Sequence, residues 1–259
     1  MPRANKPRAP KPRIEGSYDI DTGIARVIAD TERDGAFILE VNGVPSSHII
    51  LGAPRVLAFE YMSWVVAAVD SLPTQPESIV HLGGAACALA RFFADVYPAS
   101  RNTVIELDGT LATYVRDWFD IPDSVEIVVA EARSATHALR PGSADVIIRD
   151  VFAGGSTPPH LVTVEFLRAA HDAAGLYLAN CGAFPGLQST RRELAGMLEI
   201  FTHVAVISEP AILAGGKYGN LVMIGSDDPL TLIDAPPGAS VKHTEWVRDL
   251  VAGARPYRD

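Results

Sequence analysis

The chain has 259 residues, a formal charge of −9, and 48% hydrophobic against 20% charged residues. That predicts one large domain with a substantial core, alone or with a small appendage. No run of 18 or more residues is free of charged and polar breaks, which argues against a membrane span. No apolar segment follows the basic, Pro-rich N-terminus, so a secretory signal is not expected. Two cysteines, Cys87 and Cys181, cannot build a disulfide framework, and the composition fits a cytoplasmic protein.

Residues 1–16 form a basic arm rich in proline. Residues 1–13 hold Arg3, Lys6, Arg8, Lys11 and Arg13 and no acid, which leaves 17 basic against 31 acidic residues in the rest. The arm is expected to be disordered, with nucleic acid or acidic lipid as its one conceivable contact. The acidic body disfavours nucleic-acid binding as the main activity.

Residues 17–52 read as a small antiparallel sheet of three or four strands. Ile24 to Ala29 and Ala36 to Val41 are rich in β formers, and Asp34-Gly35 and Asn42-Gly43 are hairpin turns because both dipeptides tolerate positive φ. Residues 53–77 read as a connecting helix over 54–71 and a linker. Pro54 suits its first turn, Phe59, Met62, Val66 and Val69 share a face, and Pro73 and Pro76 end it.

From residue 78 to 226 strands and helices alternate, which predicts a parallel sheet covered on both faces. Strands are expected at Ile79 to Leu82, Thr103 to Leu107, Val125 to Ala130, Asp145 to Ile148 and Leu176 to Ala179. Val204 to Ser208 and Leu221 to Ile224 close the domain as an antiparallel hairpin across Ala214 to Gly219. Residues 227–259 are mixed, with a helix expected near Thr244 to Val251.

Ligands in such sheets bind past the carboxyl ends of the strands, near the switch in strand order, which selects four places. Gly83-Gly84-Ala85-Ala86-Cys87-Ala88 follows the first strand; its small residues let a backbone approach a nucleoside, or simply pack a helix against a strand. Glu106-Leu107-Asp108 ends the second. Glu106 is placed to accept ribose hydroxyls, and Asp108 is either a second ligand or a helix N-cap. Glu131-Ala132 follows the third, where an acid meets an adenine amine or caps a helix. Asp150 ends the fourth, as a general base, an ammonium ligand or a turn former. Arg149 beside it reads as a solvent or interface group, and Pro158-Pro159 stiffen a loop suited to a lid. His81 reads as a core residue and Cys87 as a packing residue. The seven histidines show no metal-ligand spacing.

In order and spacing these segments resemble the spermidine/spermine synthase family from about residue 24 to 226. The resemblance rests on Phe37 to Gly43, on Ala58-Phe59-Glu60-Tyr61-Met62 where the family has Y-H-E-M, and on Leu82 to Ala88 where it has I-G-G-G-D-G-G. It continues through Glu106-Leu107-Asp108, Asp145 to Asp150 (D-V-I-x-x-D) and His160 to Phe166. It implies a class I methyltransferase-like, Rossmann-like α/β fold: a seven-stranded, mostly parallel sheet with helices on both faces, preceded by the small β domain. It also implies a homodimer and transfer of an aminopropyl group from decarboxylated S-adenosylmethionine to a small-molecule amine, without a metal.

Under the resemblance Gly83, Gly84, Glu106, Asp108, Glu131 and Ala132 hold the nucleoside and Asp150 helps deprotonate the amine. The family's acid in the glycine motif falls on Ala86, the second acid of its D-x-x-D-P motif on Ala153, and its Tyr-His pair on Ala58 and Phe59. The amine half of the site is therefore degenerate. Two alternatives stand beside aminopropyl transfer: methyl transfer from intact S-adenosylmethionine, and a nucleoside-binding or scaffold protein without turnover.

Overall fold

The computed structural model describes residues 14–230 and 233–259. The arm expected over residues 1–16 lies outside the described residues as far as residue 13. Ile14 is buried in the core, and Gly16 already begins a strand.

Four strands, β1 (Gly16–Ile20), β2 (Gly23–Ala29), β3 (Ala36–Val41) and β4 (Val44–Ile50), form an antiparallel meander. Asn42 and Gly43 both adopt positive φ, at 52° and 77°, and the two-residue turn pairs Val41 with Val44, as an Asn-Gly hairpin requires. Asn42 also accepts from the Ile24 amide and donates to the Thr22 carbonyl, tying two adjacent turns together.

The first helix, α1 (Glu60–Asp70), starts six residues later than the position of Pro54 suggests. Residues 50–56 instead form successive turns, Ala53 to Ile50 and Val56 to Ala53, that carry the chain from the small sheet to the large one. Here the tertiary route overrides local spacing. Tyr61, Met62, Trp64, Val65, Ala68 and Val69 are buried.

The large sheet contains β5 (Ser78–Leu82), β6 (Arg101–Glu106), β7 (Val125–Val129), β8 (Ala144–Arg149), β9 (Ala174–Ala183), β10 (His203–Ser208), β11 (Gly219–Ser226) and β12 (Ser240–Lys242). Their order is β12-β10-β11-β9-β8-β5-β6-β7. The expected seven strands are thus eight. The short β12 pairs antiparallel with β10, so residues 227–259 extend the sheet rather than stand apart. The loop before β11 also contains a short helix, α7 (Pro210–Leu213).

Helices α2 (Ala88–Val96) and α3 (Gly109–Trp118), together with α1 and the small sheet, cover one face. The other lies under α4 (Ala132–Ala138), α5 (Val164–Ala173), α6 (Gln188–Ile200) and α8 (Thr244–Leu250). Strand alternation fills two cores: Ile79, Val146, Ile148 and Leu178 point to the first, and Val80, Ile147, Tyr177 and Ala179 to the second. The chain leaves β5 toward β6 and β7, then returns to β8 on the other side of β5. That reversal opens a crevice at the carboxyl ends of β5 and β8, where Gly83 and Asp150 lie. Among the described residues no helix is long and apolar enough to cross a membrane.

Candidate functional site

The turn after β5 approaches the end of β8 so closely that only glycine fits. Gly83 has φ of 81°, and a Cβ there would lie 2.5 Å from the Asp150 carbonyl oxygen. At Gly84 a Cβ would meet Val104 at 2.3 Å. Ala85 and Cys87 also adopt positive φ, 40° and 58°, a conformation that costs an L-residue roughly 1–2 kcal/mol. The turn is therefore held against its local preference, and Glu106 helps hold it. Its Oε2 accepts from the Gly84 and Ala85 amides at 3.2 Å, and its Oε1 from the Asp108 amide at 3.0 Å. A carboxylate offers about four acceptor positions. The two long bonds are those that a ribose diol would compete with.

Asp108 does not share this availability. It is buried, caps α3 through the Leu111 amide at 2.7 Å, and accepts from the Thr22 amide and hydroxyl at 2.7 and 2.8 Å. Its oxygens fasten α3 to the turn between β1 and β2, which is the N-cap role. Glu131 likewise caps α4 through the Arg133 and Ser134 amides and meets His160 at 3.0 Å. Partial burial works to raise its pKa, but these bonds outweigh that and hold it down at about 2. Its carboxylate is anchored to the protein, and Ala132 begins α4 with its side chain in the second core. Leu107 and Val129 stand exposed at this end of the sheet, 60% and 57% accessible.

Asp150 is half-buried at the mouth of the crevice. Its Oδ2 accepts from the Tyr61 hydroxyl at 2.6 Å and its Oδ1 from the Asn180 amide nitrogen at 3.0 Å. Burial raises its pKa above the ordinary carboxylate value, and those two hydrogen bonds only partly offset the effect. Burial also pushes the Tyr61 hydroxyl well above the usual phenol range, so it remains a donor. Asn180 is buried on β9, and its Oδ1 has no hydrogen-bond partner among the described residues. Sequence reasoning missed Tyr61 and Asn180. Tyr61 sits beside the helix glutamate of the quoted motif, but nothing local reveals that it reaches across to β8.

Arg149 is not a surface group. It points to the opposite face from Asp150, is fully buried, pairs with Glu193 of α6 at 2.7 Å and donates to the Leu161 carbonyl at 2.8 Å. A guanidinium so placed needs its counter-ion, and α6 supplies one that no local pattern announces. Asp145, the first acid of D-V-I-x-x-D, accepts from the Glu77 and Ser78 amides and pins the start of β5. Thr163 caps α5.

His81 is a buried core residue bonded to Asn102 at 3.0 Å, with its pKa lowered by burial to about 4. Cys87 is buried, and burial raises its thiol to about 12, so it packs rather than reacts. Ala86 is fully buried, and its amide donates to Ser47 Oγ of β4 at 3.2 Å. No group of three or more His, Cys, Asp or Glu side chains able to hold a metal occurs among the described residues.

The crevice thus joins a glycine-rich backbone turn, a strand-end glutamate and a half-buried aspartate held by two neutral donors. No protein-family model matches the chain. Its structure is similar to the crystal structure of a probable spermidine synthase from Corynebacterium glutamicum, with a TM-score of 0.89 and 43% identity, covering 95% of this chain and 97% of that one. Two curated relatives match in part. An N-terminal histidine N-methyltransferase of Emericella nidulans is 27% identical over 147 residues, 52% of this chain and 26% of that protein. A polyamine aminopropyltransferase of Vibrio vulnificus is 26% identical over 129 residues, 47% of this chain and 43% of that protein. The matched regions span about a quarter and under half of those relatives.

Proposed function

The chain belongs to the spermidine synthase family, and from that premise we propose that it transfers an alkyl group from a sulfonium nucleoside to an amine nitrogen. The group transferred is the aminopropyl group of decarboxylated S-adenosylmethionine. The observation that carries this reading is the Asp150 carboxyl, raised in pKa by burial, held by Tyr61 and Asn180, and set beside the Gly83 turn. The amine nitrogen attacks the carbon bonded to sulfur. The carbon–sulfur bond breaks with its electron pair going to sulfur, which leaves neutral methylthioadenosine, and Asp150 takes the proton that the nitrogen sheds. An aspartate of ordinary pKa is a weak base toward an ammonium, and the raised value narrows that mismatch. Glu106 accepts the ribose hydroxyls, Gly83 and Gly84 admit the nucleoside close to the backbone, and the flat base lies between Leu107 and Val129 beside Glu131-Ala132.

Incubation with decarboxylated S-adenosylmethionine and a panel of amines tests the reading. It predicts methylthioadenosine, and no methylthioadenosine with any amine would refute it. One observation favours a second reading, methyl transfer. Buried Ala86 stands where the family's acid would face the aminopropyl ammonium, so selection against the carboxylate of intact S-adenosylmethionine is weaker. That reading predicts S-adenosylhomocysteine as product. Nucleoside binding with neither product would leave a binding protein without turnover.

A further inference from the structure

The start of α4 needs support from outside itself. The helix has only seven residues, too few to be stable alone. Yet Glu131 and Ala132 at its start form the wall beside which the transfer reading lays the base. The loop after Asp150 returns to this wall at the turn Pro159–Leu161. Arg149 holds that turn from inside, through the Leu161 carbonyl. Arg133 of α4 holds it from outside, donating to the His160 carbonyl at 2.7 Å and to Thr163 Oγ1 at 3.1 Å. With its backbone so fixed, His160 meets Glu131 at 3.0 Å.

Arg133 is itself held by a segment far away in sequence. Its Nη2 donates to the Asp259 carboxylate, and its side chain is only 21% exposed. Residues 255–259 reach it by crossing α6 and α5. Pro256 packs over Gly196 of α6, where a Cβ would lie 3.6 Å from Pro256 and 3.2 Å from Leu167 of α5. Arg192 lies 3.9 Å over the Tyr257 ring and donates to the Arg255 carbonyl at 2.9 Å. The Tyr257 carbonyl accepts from the Val164 amide at 3.0 Å, and Arg258 pairs with Glu199 at 2.6 Å. The Asp259 amide donates to Glu165 at 3.1 Å. A lone exposed ion pair contributes little, because two long side chains must be ordered to make it. Here the pair is the tip of a segment seated along its length, so the Asp259 carboxylate is already in place.

We infer that residues 255–259 form a clasp that sets the nucleoside affinity from outside the crevice, with Arg133 as the positioning residue that carries its hold to His160 and Glu131. The clasp does not touch the nucleoside; it fixes the wall beside the base. The inference rests on the transfer reading above, which lays the base beside Glu131-Ala132, and names a control on that site.

Calorimetric titration of methylthioadenosine into the full chain, Arg133→Ala, Asp259→Ala and the double variant tests it, and thermal unfolding checks that each is folded. Arg133→Ala should weaken binding about tenfold and Asp259→Ala about threefold. Because Asp259 acts through Arg133, the double variant should bind no more weakly than Arg133→Ala alone. Unchanged affinity in folded Arg133→Ala, or losses that add in the double variant, overturns the inference. Failure of methylthioadenosine to bind the unaltered chain would count against the transfer reading instead. Hydrogen exchange without nucleoside then decides whether the clasp holds the start of α4. Glu131 accepts from the Arg133 and Ser134 amides, and their exchange should quicken in both single variants. Unchanged exchange there overturns the clasp.

Discussion

Tyr61 on α1 donates its hydroxyl hydrogen to Asp150 Oδ2 at the end of β8, at 2.6 Å and across 89 residues of sequence. This contact fixes the orientation of the carboxyl and favours its ionised form, while burial favours the neutral one. The balance sets the pH at which Asp150 can accept a proton.

The first prediction concerns that balance. Asp150 accepts a proton only when ionised, so kcat/KM for the amine should fall as pH drops through the raised pKa, at higher pH than an exposed aspartate would give. Tyr61→Phe removes a bond to the charged form and should move this acid limb to still higher pH. A pH–rate profile of both proteins checks it, and an unmoved limb would separate Tyr61 from the ionisation of Asp150.

A second prediction follows from linkage. Between the ordinary and the raised pKa the folded carboxyl binds more protons than the unfolded one, so its contribution to stability is lost as pH rises through that window. Asp150→Asn removes the half-buried charge, and the free Oδ1 of Asn180 can turn to accept from the new amide. At pH 8 we expect a gain of about 1 kcal/mol, a rise in Tm of roughly 2–4 °C for a chain of this size, together with loss of transfer. An unchanged or lower Tm would contradict this.

Glu106 and Asp108 should part company on mutation. Glu106→Gln keeps the size of the side chain but loses the charge that the transfer reading assigns to the ribose, so methylthioadenosine should bind about 10- to 100-fold more weakly, as one charge-assisted hydrogen bond implies. Asp108→Ala removes the cap of α3 and its tie to Thr22. It should cost about 1–3 kcal/mol of stability while the folded fraction keeps its nucleoside affinity. Calorimetry and urea unfolding of the two variants decide between the roles, and the reverse pattern would exchange them.

The buried pair under the sheet gives a fourth prediction. Glu193→Ala strands Arg149 without a counter-ion and should destabilise the fold by about 3–5 kcal/mol. Replacing both, Arg149→Met with Glu193→Leu, should recover most of that loss, because an apolar pair of similar volume has no desolvation to offset. Urea unfolding of the single and double variants measures it, and additive losses would show that the pair is not coupled.

Much of this protein was legible in the sequence because the signals are local. Short apolar runs alternating with helical segments marked the sheet, Asn42-Gly43 marked a hairpin, and small residues after β5 marked the tight turn beside Asp150. The order of motifs around Gly83, Glu106 and Asp150 pointed to the family to which the chain belongs. The features that tertiary structure alone decided are those in which one group is defined by another far along the chain. Asp108 and Glu131 have the residue type of ligands, yet backbone amides and Thr22 claim the first and helix amides and His160 the second. Arg149 has the residue type of a surface group, yet α6 brings Glu193 to it and makes burial tolerable. Tyr61 and Asn180 carry no local mark of function. Only the packing of α1 and β9 around the end of β8 places their donors on Asp150, because a hydrogen bond depends on distance and direction in space and not on separation in sequence.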